Sequence, residues 1–341
     1  MLRVRDIVSG LLEWAPASLA WERDNIGLLV GAADAEVRRV LVCLDVTPAV
    51  VEEAIARDAN CIVAHHPVIF HPLKSLRTDR HPGSMYATLL RAEISVIAMH
   101  TNADAARTGL NHALADLFGL HDRRRLDAVR GQRRLASLQL HARGDLAELE
   151  AFADENDDVT LLAQQGSDGR IDLRFDLPSW LLPDLRARVR ASTGDVPVQV
   201  SALEDALPAH GIGIVGELEA AVPAGEFLAT VKEKLGCAML RCTPFEAESP
   251  VRRVAVSSGS GGSYVRAAVA AGADVLVTGD LTHHTFLDHA HEILLVDAGH
   301  YETEQLFIRL CAKELARRFF DDKQKIDILH AQTDTNPVRF V

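Results

Sequence analysis

Aromatic residues are scarce in this chain of 341 residues, at 5% (three Trp, three Tyr, eleven Phe). That scarcity removes the stacking platforms on which single-stranded nucleic-acid binding usually rests. Cationic residues are also outnumbered: 36 Lys and Arg face 48 Asp and Glu, a net charge of −12. A broad phosphate-binding surface needs the opposite balance, so nucleic acid is excluded as the expected partner. No apolar run reaches the ~18–20 residues that span a bilayer. The opening MLRVRDIVSGLLEW carries two early arginines, but Asp6 and Glu13 interrupt it and no small-residue cleavage site follows. It reads as an amphipathic helix with Val4, Ile7, Val8, Leu11 and Leu12 on one face, and a cytoplasmic location is expected. Cysteine is limited to Cys43, Cys61, Cys237, Cys242 and Cys311, an odd and scattered set. Neither a disulfide framework nor a thiolate zinc site follows from such spacing.

What is present is a strand–helix alternation. Arg39–Asp45 reads as a strand, Thr47-Pro48 as a cap with proline at the first helical position, and Cys61–Ala64 as a buried strand ending in His65-His66. A helix over Ser84–Ala92 leads to a strand over Ile94–Met99 ending at His100, then to a helix over Leu110–Phe118. Later, strands over Val251–Val256, Asp274–Val277 and Ile293–Val296 are followed by a Gly-rich turn (Ser257–Ser263), by Gly279-Asp280 and by Gly299-His300. A last helix is expected from Tyr301 to about Phe320. This order predicts an α/β fold with a mostly parallel sheet and right-handed crossovers. Between the two parts, residues 130–210 read βαββαβ, the ferredoxin-like pattern, as an inserted α+β domain. Charged stretches at His121–Arg125 and Pro208–Gly213 suit its boundaries. The expected discontinuous domain is 1–129 with 211–341.

Ligands of open parallel sheets sit beyond the carboxyl ends of the strands. Nearly every expected strand here ends in a polar or coordinating residue. Pro67 breaks the regular alternation after His65-His66, so both imidazoles can turn toward one place. His100-Thr-Asn-Ala-Asp104 and His300-Tyr-Glu-Thr-Glu304 each place an acid four residues after a histidine, on one helical face if each starts a helix. His65, His66, Asp104, His300 and Glu304 are therefore the candidate ligands of two divalent cations per chain. An imidazole and carboxylate set without thiolate suits Zn, Mn, Fe, Co or Ni. Paired cations make metal-assisted hydrolysis the default reaction class. His100 is read as a donor behind the ligands or a proton shuttle rather than a ligand. Asp280, His283 and His284 in TGDLTHHTF either orient ligands or form a polar helix start capped by Thr282. The loop with His71, Lys74, Arg77, Arg80 and His81 is either a phosphate receiver or a solvated basic loop. SSGSGGS lacks the spacing of known phosphate loops and is a weak anion cradle.

Taken together, DNIGLLVG (24–31), AHHPVIF (64–70), MHTNAD (99–104), GIGIVGEL (211–218), SSGSGG (257–262), VTGDLTHHT (277–285), AGHYETEQ (298–305) and TDTNP (333–337) resemble one family. It is the dinuclear-metal hexameric family of GTP cyclohydrolase I type 2 homologs (NGG-interacting-factor-three-like). The resemblance covers most of the chain outside the insert. It implies metal ligands at His65, His66, Asp104, His300 and Glu304, a toroidal homohexamer, and a PII/CutA-like insert. It also implies a hydrolase acting on a small purine-nucleotide substrate, with GTP cyclohydrolase as the concrete activity. His71 stands where many relatives would carry lysine, which weighs against a substrate role for that loop. A two-metal phosphoesterase and a non-catalytic metal-binding or regulatory scaffold are the alternatives.

Overall fold

The computed structural model describes residues 2–140, 146–165, 170–319 and 326–341. The chain divides into two compact units, one of Met1–Asp127 with Ala209–Val341 and one of Ala128–Pro208. In chain order the strands of the first part are β1 (Gly27–Val30), β2 (Arg39–Cys43), β3 (Cys61–Ala64), β4 (Ser95–Ala98) and β5 (His121–Arg130). Those that follow are β6 (Arg133–Leu140), β7 (Thr160–Gln165), β8 (Ile171–Pro178), β9 (Gln199–Leu203) and β10 (Ala206–Pro223). The last are β11 (Arg241–Cys242), β12 (Pro250–Ser260), β13 (Val275–Gly279), β14 (Leu294–Asp297) and β15 (Asp327–His330).

The larger unit holds two sheets. One has the order β1-β4-β3-β2-β15, parallel except for β1. Its central strands RVLVC, CIVA and SVIA are almost wholly apolar because both faces are covered. Leu41, Ile62 and Val96 pack on one face with Val50, Val51 and Leu89 from the helices Pro48–Ala56 and Gly83–Arg91. The first of these helices starts as expected, with Pro48 at its first turn and the Thr47 hydroxyl accepting from the Val50 N–H. The amphipathic opening helix spans Val4–Trp14 and buries Val4, Ile7, Leu11 and Trp14.

The second sheet has the order β11-β14-β13-β12-β10-β5. Strands β12, β13 and β14 are parallel, whereas β10 runs antiparallel to β12 and β11 antiparallel to β14. His121–Arg125 and Pro208–Gly213 lie in β5 and β10, close to where the two compact units divide, at Asp127/Ala128 and Pro208/Ala209. β5 is an edge of this sheet, where charged side chains discourage pairing with other chains. Two expectations change. The Ser257–Ser263 turn is displaced, since β12 continues to Ser260 with a register shift between Val256 and Ser260. The last helix is two helices, His300–Glu304 and Leu306–Phe319, separated by Gln305. Its expected end at Phe320 lies outside the described residues.

The smaller unit has the sheet order β7-β8-β6-β9, every neighbour antiparallel, with helices Ala147–Asp154 and Leu182–Thr193. Numbered within the unit this is 2-3-1-4, the ferredoxin-like arrangement. Its core is its own, built around Phe152, Phe175, Leu173 and Leu185.

Candidate metal centre

Strand β3 ends in His65-His66, β4 in Met99-His100 and β14 in the turn before His300, so all three deliver imidazoles from their carboxyl ends. A short helix after β4 (Thr101–Ala105) carries Asp104, and the helix His300–Glu304 carries both of its named residues. The two acids face the same imidazole: His65 Nε2 lies 3.9 Å from Asp104 Oδ1 and 3.6 Å from Glu304 Oε1. The second Glu304 oxygen, Oε2, lies 3.1 Å from His66 Nε2 and 3.0 Å from His300 Nε2. His66 Nε2 and His300 Nε2 are 3.3 Å apart. Glu304 thus divides the cluster, one oxygen toward His65 and Asp104, the other toward His66 and His300.

Every imidazole is held by its other nitrogen. His65 Nδ1 donates to the Met99 carbonyl (2.9 Å) and His66 Nδ1 to Asp45 (2.8 Å). His100 Nδ1 donates to Asp24 (2.8 Å) and His300 Nδ1 to Asp280 (2.7 Å). A carbonyl or carboxylate oxygen only accepts, so the proton sits on Nδ1 and the Nε2 lone pair is left for the cluster. Imidazoles that bind cations are oriented in this way. His100 belongs to the same gathering, since nitrogens of His65, His66 and His100 lie within 4.8 Å of one another. His66, His300 and Glu304 form a second such group.

The residues fit a pair of divalent cations. His65 is fully buried and Glu304 is 3% exposed. Yet His65 Nε2 and Glu304 Oε2 have no hydrogen-bond partner of acceptable geometry. Buried polar atoms left so are rare and costly unless a ligand completes them. Nitrogen and carboxylate oxygen without sulfur is a borderline donor set, as expected for Zn, Mn, Fe, Co or Ni. The electrostatics agree. Burial acts to lower the His66 pKa, but the nearby Asp45 and Glu304 carboxylates overcome it and raise it to about 10. At His300 the same opposition, with Glu304 and Asp280 prevailing, raises the pKa to about 9. Burial opposes ionisation of Glu304, yet His65, His300 and His66 hold its carboxyl well below the usual range. Positive charge belongs here, as protons or as cations.

Residues missed in the sequence complete the site. Asp24 accepts from His100, from the Thr101 N–H (3.1 Å) and from the Thr101 hydroxyl. Burial opposes its ionisation, but the bonds from His100 and Thr101 lower its pKa to about 2. The SSGSGG segment lines the site rather than cradling an anion. The Ser258 hydroxyl donates to Asp104 Oδ1 (2.9 Å), and the Ser258 N–H donates to Asn111 Oδ1 (3.0 Å). At Gly259 a Cβ would fall 2.1 Å from Glu304 Oε1, so only glycine admits the carboxylate. Asp280 does orient a candidate ligand, while Thr282 caps the helix His283–His289 and leaves His283 and His284 exposed. His71, Lys74, Arg77, Arg80 and His81 are all exposed, with Arg77 paired to Asp79. Exposure of this kind is common to the phosphate-receiver and solvated-loop readings. No helix among the described residues is long and apolar enough to cross a membrane.

Fold and site together define an α/β protein with an inserted ferredoxin-like unit and a histidine–carboxylate cluster able to hold divalent cations. The chain belongs to the Duf34/NIF3 (NGG1p interacting factor 3) family, whose family model matches residues 2–337. A Bacillus subtilis relative named GTP cyclohydrolase 1 type 2 homolog is 29% identical, covering 99% of this chain and 98% of its own length. A relative of the same name from Staphylococcus aureus is 30% identical over the full length of both. The crystal structure of a Bacillus cereus protein related to NIF3 superposes with a TM-score of 0.86 at 30% identity, covering 100% of this chain and 99% of that one.

Proposed function

We propose that this protein is a hydrolase dependent on two divalent cations, acting on a purine nucleotide with GTP as its concrete substrate. The observation that carries the reading is the division of the cluster by Glu304, whose two oxygens face separate imidazole sets, with His65 Nε2 and Glu304 Oε2 buried and without a hydrogen bond of acceptable geometry. His65, Asp104 and one Glu304 oxygen would hold one cation, and His66, His300 and the other oxygen the second. Such a pair, when bound, supplies Lewis acidity that acidifies water and neutralises charge developing on substrate oxygens. The chain's own contribution is orientation and proton handling. Met99, Asp45 and Asp280 fix the ligand imidazoles through Nδ1, and Ser258 fixes Asp104. His100 keeps its Nδ1 proton on the ionised Asp24, which leaves Nε2 free to take a proton from water and return it to the leaving nitrogen. The guanine nucleotide is supported by the name that the relatives carry, GTP cyclohydrolase 1 type 2 homolog. A homohexamer is part of the same proposal, checked by sedimentation.

The deciding experiment measures cation content and the products formed from GTP, for native protein beside Glu304→Ala. Two cations per chain with formate release, both lost in the variant, support the reading. Release of inorganic phosphate instead would replace it with a phosphoesterase. Two cations without turnover of any nucleotide would make the protein a metal-binding scaffold, and no cation under any loading condition would overturn the site itself.

A further inference from the structure

The motif TDTNP near the C-terminus contributes no candidate ligand, yet its contacts converge on one half of the site. Glu53, in the helix Pro48–Ala56, accepts from the Gln332 N–H (2.9 Å), the Thr333 N–H (2.9 Å) and the Thr333 hydroxyl (2.7 Å). This anchorage sets the chain so that the Thr335 hydroxyl donates to Asp45 Oδ2 at 3.1 Å. Asp45 Oδ1 is the atom that holds His66 Nδ1. One residue further, the Asn336 amide donates to Glu302 Oε1 at 2.9 Å. Glu302 lies in the short helix between His300 and Glu304. The segment therefore spans the site from the first sheet's side to the second's. It braces His66 through Asp45 on one side, and the His300–Glu304 helix through Glu302 on the other. The pairing of Asp45 with Thr335 repeats that of Asp24 with Thr101. In both, one carboxylate oxygen holds an imidazole Nδ1 and a threonine hydroxyl engages the other.

We propose that the segment Gln332–Asn336 is a positioning strap for the cation site formed by His66, His300 and Glu304, with Thr335 as its principal positioning residue. The inference rests on the two-cation reading above. Without the Thr335 hydroxyl, Asp45 is free to rotate and His66 loses its fixed orientation. Among the described residues the hydrogen bonds and ion pairs of His65 and Asp104 run to other partners than the strap, so the cation on their side is spared by the loss of the Thr335 hydroxyl. Groups standing behind metal ligands typically contribute 10–100-fold to affinity. Thr335 acts one bond further out, so about tenfold is expected, at one cation only.

The test is chelator competition on the full chain with Zn, resolving the two dissociation constants, for native protein, Thr335→Val and Thr335→Ser, alongside thermal unfolding of the cation-free proteins. The expected result is one constant weakened about tenfold in Thr335→Val, restored in Thr335→Ser, with cation-free unfolding unchanged. Asn336→Ala, which releases the helix carrying both His300 and Glu304, should weaken both constants, because Glu304 faces both halves of the cluster. Two unchanged constants in Thr335→Val, or failure of serine to restore, would overturn the strap and leave the two-cation reading intact. Equal weakening of both, together with a lower unfolding temperature, would make the segment merely structural and overturn it too. Native protein that takes up no Zn would overturn both inferences together.

Discussion

Gly259 is the position where a single added methyl group should separate folding from cation binding. Its φ of +56° lies in the left-handed region, where an alanine costs about 1–2 kcal/mol relative to its ordinary backbone state. The alanine Cβ would also fall 2.1 Å from Glu304 Oε1 and 3.1 Å from Glu304 Cδ. The carboxylate, at the end of a flexible side chain, gives way before the backbone of β12 does. Overpacking therefore adds little to the loss of stability, and its consequence falls on Glu304. That residue serves both halves of the cluster, so both cations should weaken, by about tenfold or more if Glu304 counts for as much as a residue that only orients a ligand. Gly262→Ala is the control, because its Cβ would meet only Leu281 Cδ2 at 3.8 Å and Thr285 Oγ1 at 4.0 Å, ordinary contacts. Urea unfolding of the cation-free proteins and cation content after dialysis read the two effects. The reasoning fails if Gly259→Ala retains two cations per chain with native affinity, or if Gly262→Ala is equally impaired.

Asn111 is fully buried and joins the two sides of the site, its amide donating to the Asp104 carbonyl (3.2 Å) and its oxygen accepting from the Ser258 N–H. Asn111→Ala leaves both backbone groups unpaired and should cost about 1–3 kcal/mol in urea unfolding; a loss below about 0.5 kcal/mol would show that water replaces the amide. At Glu53, burial acts to raise the pKa, but hydrogen bonds from Thr333 and Gln332 prevail and hold it below its ordinary value of about 4.5. A carboxyl with a lowered pKa stabilises the docked state above its ordinary value, and that contribution disappears as pH falls through the lowered one. The C-terminal segment should thus become accessible to carboxypeptidase as the pH drops below about 4.5. Glu53→Gln should make it accessible at neutral pH. Accessibility that does not change with pH in the native protein would contradict this assignment.

The part of the site legible in the sequence was the part written at short range. His65 and His66 are adjacent, and His300 and Glu304 are four residues apart, so local geometry alone brings each pair together. The buried strands β2, β3, β4, β12, β13 and β14 were likewise visible as short apolar runs. Asp24 offered no such signal, because it stands 76 residues before the imidazole it supports and follows no recognisable spacing. Ser258 and Gly259 carry in sequence only the weak signal of an anion cradle, because glycine and serine look alike in a turn and in an irregular strand. Only the approach of Glu304 distinguishes the two. The limits of the insert are legible near His121–Arg125 and Pro208–Gly213, but that these stretches continue as β5 and β10 of the second sheet is not, because their pairing partners lie far along the chain.

The two His-x-x-x-acid turns look equivalent in sequence and are not equivalent in the fold. In His300–Glu304 the histidine and the acid meet directly, Nε2 to Oε2 at 3.0 Å. In the other turn His100 stands at the N-terminal boundary of the helix Thr101–Ala105, with its Nδ1 on Asp24, while Asp104 faces His65 and Ser258 instead. The difference follows from what precedes each turn. Gly299, at φ +95°, admits a backbone that places His300 as the first residue of its helix, whereas His100 itself must make the transition from strand to helix. One turn thus brings both of its candidate ligands onto one neighbour, and the other sends its acid and its imidazole to different partners. Under the proposed function that asymmetry is what would let five residues hold cations while His100 handles a proton; two identical turns would give six competing ligands.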